Sequence, residues 1–367
     1  MMKKNTKKSL IAIGIALVAC VVLVLLDTMP GVPGMLVTVL QKGAIFSLVA
    51  VSMNLLNGFT GLFSLGQAGF MLLGAYSYAI LTVPVAQRMS VWKYYDGGVV
   101  QFALPVLVAL LVGGLLAAGC AYLIGLPVLK LKSDYLAVAT LGFAEIVRAI
   151  VQSESIGPLT NGSNLIFNFP HLNNLTFLGI NVPPTLAAFL LSGVCILVVV
   201  LLINSTYGRA FMAIRDDEIA AEAMGINLAK HKRMAFVISS FFAGISGGLL
   251  AMFQATVSAN IFKAAMTYEI LLIVVIGGIG SISGSCIGAF AFYACSEWLM
   301  RFLDDPSYNI GGLNILRGGF RMVVFSVVIM LVVLFRREGL MGNHELSDLP
   351  KLWRRRKSAK EKEAQAK

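Results

Sequence analysis

Between Gly157 and Ser163 two glycines stand five residues apart ahead of a serine, the outline of a phosphate-binding loop. Asn161 precedes the second glycine and no lysine follows it, whereas a loop that cradles nucleotide phosphates needs that lysine on the β and γ oxygens. Gly278 and Gly280 are followed by Gly284, one residue late for a dinucleotide fingerprint and inside an apolar run. His171, His231 and His344 stand apart from one another and from any cysteine, so no zinc-type spacing occurs. Cys20, Cys120, Cys195, Cys286 and Cys295 all fall in apolar runs, which argues against a disulfide framework or a thiolate metal site. The sequence therefore predicts no ATP site, no metal, no cofactor and no covalent catalysis.

The polar residues that remain sit between or within apolar runs. Glu145 and Arg148 lie three apart on one helical face, close enough to pair, and an unpaired charge at bilayer depth is costly. Glu145 has two possible roles, neutralising Arg148 or meeting a substrate ammonium, and Tyr135, Glu145 and Arg148 could equally latch a subunit interface. Residues 54–66 hold Gly58, Gly61 and Gly66 among Asn54, Asn57, Thr60 and Ser64, a composition that predicts a broken or re-entrant segment. Unwound backbone at membrane depth is tolerated only against protein or a watery cavity. Asn54, Ser64, Gln67, Tyr135, Thr140 and Glu145 are thus the candidate lining of a pathway, with interhelical hydrogen bonding as the competing role. Glu269, Glu297 and Arg321 fall at the outer ends of apolar runs, where snorkelling is inexpensive and no function is required.

One charged segment stands out. Residues 204–233 contain Arg215-Asp216-Asp217-Glu218-Ile219-Ala220-Ala221-Glu222-Ala223-Met224-Gly225-Ile226-Asn227. Acids at the start, alanines in the middle and a glycine at the end predict a short capped helix. A small-faced exposed helix suits docking into a partner's cleft; the competing role is an amphipathic connector on the membrane.

The elements that position these residues are membrane spans. Of 367 residues 58% are hydrophobic and 13% charged, against about a quarter charged in soluble domains, and the mean hydropathy is +0.84. Apolar runs of spanning length predict an all-α polytopic membrane protein with helices at 9–26, 35–53, 67–86, 102–124, 135–151, 182–203, 234–256, 267–283, 284–299 and 320–335. That makes about ten, with a range of eight to ten, since the glycine-rich 267–299 stretch could form two short helices or one span plus a broken segment. Glycines four apart, Gly244 with Gly248 and Gly280 with Gly284 and Gly288, predict close helix approach.

The net charge of +11 is read as topology, and no nucleic-acid partner is expected. With both termini inside, the inner segments carry 21 Lys and Arg and the outer loops five, which fixes orientation by the positive-inside rule. The chain then divides into a cytoplasmic tail 1–8, a transmembrane domain 9–335 with the cytoplasmic loop 204–233, and a basic cytoplasmic tail 336–367 that can touch anionic membrane lipid. Leu17-Val18-Ala19-Cys20 imitates a cleavage site, but the apolar run continues through Leu26, so an uncleaved first span is expected.

Ala220, Ala221 and Gly225 stand in the register of the Glu-Ala-Ala, three variable residues, Gly motif in the coupling loop of ABC importer permeases, with Ile219 at the Glu position and Glu218 one residue early. Asn54-Leu55-Leu56-Asn57-Gly58-Phe59-Thr60-Gly61-Leu62-Phe63-Ser64-Leu65-Gly66-Gln67-Ala68-Gly69-Phe70 resembles the signature of branched-chain amino acid permeases. Gly125 to Ala137, running into Thr140 to Arg148, is similar to the segment marking the longer of the two permeases of that system. Thr160 to Asn164, Gly277 to Ser281 and Arg336 to Gly342 resemble its later signatures, in order.

The resemblance covers roughly residues 35–342. It implies a permease subunit, not an enzyme, in the bacterial plasma (inner) membrane. It also implies a second homologous permease, two cytoplasmic ATPase subunits docking on Arg215, Asp216, Glu218, Ala220, Ala221 and Gly225, and an extracytoplasmic binding protein. Branched-chain or other neutral amino acids are the expected cargo. The alternatives are a urea or short-amide importer permease and, from another class, an ion-coupled secondary transporter, against which the shortage of buried acids along one path argues.

Overall fold

The computed structural model describes residues 22–25, 27, 34–131, 133–177, 180–299, 324, 326, 327, 330, 334, 339–342 and 345. The expected spans 9–26 and 320–335 lie largely outside the described residues, as do both tails. Described elements are α1 (Gly34–Asn54), α2 (Gln67–Thr82), α3 (Val106–Val128), α4 (Ser133–Gln152), α5 (Pro184–Asn204), α6 (Thr206–Asp216), α7 (Glu218–Ala223), α8 (Leu228–Gln254), α9 (Ala264–Gly277) and α10 (Ile282–Tyr293). A two-residue antiparallel ribbon, β1 (Thr176–Phe177) with β2 (Ile180–Asn181), interrupts the otherwise helical chain.

Five of these helices, counting α1 with its continuation to Phe59, are long and apolar enough to cross a membrane. The count is seven if each of two bent pairs is one span. The chain is a multi-pass membrane protein. The bent pairs are α2 with Val85–Val91, at 100°, and α9 with the run from Ile282 to Trp298, at 118°. The second bend is the break expected in the glycine-rich 267–299 stretch. Gly278 and Gly280 turn the chain there with φ of 121° and 87°, a region open to glycine because it has no Cβ.

Two of the boundaries that differ from those expected have a local cause. The fourth predicted span begins at Val106 rather than Phe102, because Pro105 stands at its N-cap, and helices start readily just after proline. Helix α8 begins at Leu228 rather than Met234, because the Asn227 side chain accepts a hydrogen bond from the Lys230 amide at 3.0 Å and starts the helix inside its charged prelude.

Helix α8 is the central member, packed along α2, α3 and α1. Its contact with α2 is backbone on backbone: a Cβ on Gly74 would lie 1.9 Å from the Gly244 carbonyl oxygen, the close approach that small residues allow in lipid. Helices α3 and α5 instead keep most of their side chains on the outside of the fold, as lipid-facing spans do. At one end of α2 the buried Arg88 guanidinium donates to the carbonyls of Ile80, Phe102 and Val100. It thereby ties the 83–105 connection onto the helix end, whose exposed carbonyls favour a cation.

Candidate functional site

Four of the six predicted pathway residues converge on the re-entrant segment. After Asn54 the helix relaxes into a π-turn (Leu55–Phe59) and then into irregular backbone to Gly66, as the glycine content predicts. Asn54 is fully buried and its amide is used up. Nδ2 donates to Ser285 Oγ at 2.7 Å, Ser281 O at 2.9 Å and Gly278 O at 3.3 Å, and Oδ1 accepts from the Gly280 amide at 2.8 Å.

Thr140 Oγ1 accepts from the Leu65 amide at 3.0 Å and donates to Ala137 O, docking α4 on the segment. Ser64 is buried, its amide bonded to Asn57 Oδ1 at 3.2 Å. Gln67 Nε2 donates to Ser239 Oγ at 2.9 Å, and Ser239 Oγ in turn donates to Ser52 O. The Gln67 Oε1 atom is buried with no hydrogen-bond partner among the described residues. Asn54, Ser64 and Thr140 thus hold the unwound backbone together, which is the interhelical role.

Tyr135 and Glu145 do not join them. Tyr135 is 68% exposed on the surface of α4. Glu145, ten residues further on and so about 15 Å along the helix from Tyr135, accepts from Arg148 at 2.6 and 2.7 Å and from the Ala264 amide at 3.2 Å. The carboxylate pairs with its neighbour and also caps the start of α9, a placement that suits its negative charge.

The charged loop is two helices rather than one. Asp216 closes α6, and the extended Asp217 alone caps α7, accepting from the Ile219 and Ala220 amides at 2.9 and 3.0 Å. Gly225 leaves the helix at φ 85° with open space around it, as expected of a left-handed cap. Glu218 holds Lys232 of α8 at 2.6 Å.

Arg215 lies beside Asp216 and reaches back to the Gly58 carbonyl at 3.1 Å. Ala221 is 4% exposed, so it packs inward. Ile219 and Met224, each 83% exposed, point outward with Ala220.

Sequence reasoning passed over a cavity of about 650 Å³ bounded by α1, α8, α9 and α10. On its wall Lys42 Nζ pairs with Glu297 at 2.7 Å, and Tyr293 donates to Glu269 at 2.9 Å. The Lys42 ammonium also lies 5.6 Å from the centroid of the Tyr293 ring. Phe46, Leu250, Leu272 and Phe292 supply apolar wall. Lys42 stands twelve residues before Asn54, so about 18 Å along α1 from the glycine break. The cavity therefore opens toward the end of the bundle opposite α7. Among the described residues no group of three His, Cys, Asp or Glu could hold a metal ion.

Residues 35–336 match the family described as branched-chain amino acid transport system / permease component. The high-affinity branched-chain amino acid transport system permease protein LivM of Escherichia coli is 33% identical over 74% of this chain and 65% of its own length, so the chain spans just under two thirds of that relative. The probable branched-chain amino acid transport permease proteins LivM and LivH of Methanocaldococcus jannaschii are 24% and 26% identical, over 81% and 72% of this chain and 90% and 81% of their own lengths. No solved structure gives a significant match. With a multi-pass helical fold, a broken glycine-rich segment after Asn54 and a family match over most of its length, this chain belongs to the branched-chain amino acid transport permease family.

Proposed function

We propose that this chain is a permease subunit of an ABC importer that takes up branched-chain or other neutral amino acids. It forms the translocation pathway with a second homologous permease, two cytoplasmic ATPase subunits drive it, and an extracytoplasmic binding protein delivers the cargo. Its place is the bacterial inner membrane, with about ten spans and both termini in the cytoplasm. The family match and the likeness to LivM and LivH support the permease role.

The observation that carries coupling is α7, a separately capped helix offering Ile219 and Met224 outward, while Glu218 and the buried Ala221 fix it to the body. Exposed apolar side chains on a rigid short helix are what a cleft on another protein would cover.

The test is reconstitution of the complex, with the proteins of neighbouring genes, in proteoliposomes containing ATP. Leucine uptake that needs the binding protein and ATP is expected. Uptake of urea in place of leucine would move the cargo to the short-amide class. Uptake driven by an ion gradient without ATP would replace the importer reading. Cysteines placed singly at 163 and 226 report the topology: an impermeant reagent on intact cells should label the first and spare the second.

A further inference from the structure

Lys42 and Glu297 alone would be a self-neutralising pair that needs no function. Two observations exceed that reading. A second acid, Glu269, shares the cavity and accepts from the Tyr293 hydroxyl at 2.9 Å, so among the described lining residues there are two carboxylates and one ammonium. The space between them, about 650 Å³, lies in the range of small-molecule sites, which pair an apolar wall with a few placed polar groups. Each acid alone sits at a span end where no function is required; it is their convergence with Lys42 on one cavity that makes the group a candidate ligand site.

The geometry points to this cavity as a docking site for a zwitterionic α-amino acid with an aliphatic side chain, on the pathway of the importer proposed above, on which reading it rests. Glu269 receives the substrate ammonium. Lys42 receives the α-carboxylate, taking it up in place of part of its bond to Glu297, and both contacts are charge-assisted. The aliphatic side chain lies against Phe46, Leu250 and Leu272. A zwitterion brings no net charge into the cavity, whereas the corresponding acid adds a negative charge beside two carboxylates.

The test uses the assembled complex in proteoliposomes, with its native cysteines replaced by alanine and Ala265→Cys introduced on the cavity wall. The rate of labelling by an impermeant methanethiosulfonate is measured with L-leucine, 3-methylbutylamine or 4-methylpentanoate present. Leucine is expected to slow labelling at least fivefold, at a concentration at least tenfold below that needed for either half-molecule. Protection should be lost in Lys42→Met and Glu269→Gln.

The exchange Lys42→Glu with Glu297→Lys keeps an ion pair while moving its poles. A purely structural pair would recover full protection in the exchange, and that result overturns the assignment. Unprotected labelling at the wild-type rate in the exchange supports it and shows that the cavity is still formed. Equal potency of the amine and leucine would reduce the site to a cation site and also overturns it. Leucine uptake in the same liposomes separates the two readings: no uptake defeats the amino-acid importer itself, and normal uptake without protection defeats only the docking site.

Discussion

Replacing Asn54 by alanine removes three hydrogen bonds of 2.7 to 2.9 Å from a fully buried knot and leaves the Gly280 amide without its acceptor. At about 1 kcal/mol net for each bond, with about 1–3 kcal/mol for a stranded buried amide, the loss is about 4 kcal/mol. That is on the order of a thousandfold in an equilibrium constant. Asn54→Asp should be no better, since it restores the acceptor for Gly280 but turns an oxygen toward the carbonyls of Gly278 and Ser281.

Both variants should therefore show low abundance in membranes and early aggregation on heating of the detergent-solubilised complex. The complex that does assemble should still transport. A pathway role for Asn54 makes the opposite forecast, normal abundance and heat resistance with uptake per complex largely gone. That outcome, or an aspartate variant as stable as wild type, would refute the structural argument.

Glu145→Gln strands Arg148 at a half-buried site, so permease abundance should fall severalfold; adding Arg148→Gln should restore most of it, read by membrane immunoblot and by uptake per complex. Full assembly of every variant, with transport lost whenever Glu145 is absent, would instead assign Glu145 to the pathway. Ile219→Asp should leave abundance unchanged yet abolish ATPase stimulation by the loaded binding protein, whereas Ala221→Arg should lower abundance because that position faces inward. Gly225→Ala should destabilise the loop by about 1 kcal/mol through backbone strain alone, since the space around it is open, seen as faster proteolysis at the loop. Gly244→Leu should prevent accumulation altogether, because its Cβ would already sit 2.8 Å from the Ala117 Cβ; normal levels would contradict the packing of α8 between α2 and α3.

The helical, multi-pass character was legible because apolar runs of spanning length leave few alternatives, and the broken segment because its three glycines stand among Asn54, Asn57, Thr60 and Ser64, whose polar side chains can take up backbone groups that a helix would otherwise pair. Side-chain direction was not. The sequence predicts the short helix that Asp217 caps, but not the helix before it or that Ala221 packs inward while Ile219 faces out.

The cavity was within reach of simple arithmetic. Counted from the knot at Asn54, Gly278 and Ser285, Lys42 lies twelve residues away along α1, Glu269 nine along α9 and Glu297 twelve along α10 with its π-turn. That is about 18, 14 and 18 Å. A lysine and two acids at one depth on three neighbouring helices had to meet. The neighbour relation of those helices was the missing fact, and no pattern within a single helix supplies it.

Arg215 reaches the Gly58 carbonyl, a Cβ on Gly58 would meet the Gly280 amide nitrogen at 2.5 Å, and Gly280 donates to Asn54. Arg215, at the end of α6, is therefore linked to the kink between α9 and α10 through close-packed main chain, with one long side chain among these contacts. Long side chains have slack because they change rotamer at little cost; packed backbone does not. If the 204–233 loop couples as proposed, a displacement of Arg215 would arrive at the kink nearly undamped, and the same stiffness would carry a change at the kink back to that loop. A single methyl at Gly58 would meet Asn54 Oδ1 at 1.9 Å and the Gly280 amide nitrogen at 2.5 Å, so one position bears on both the Asn54 knot and the kink.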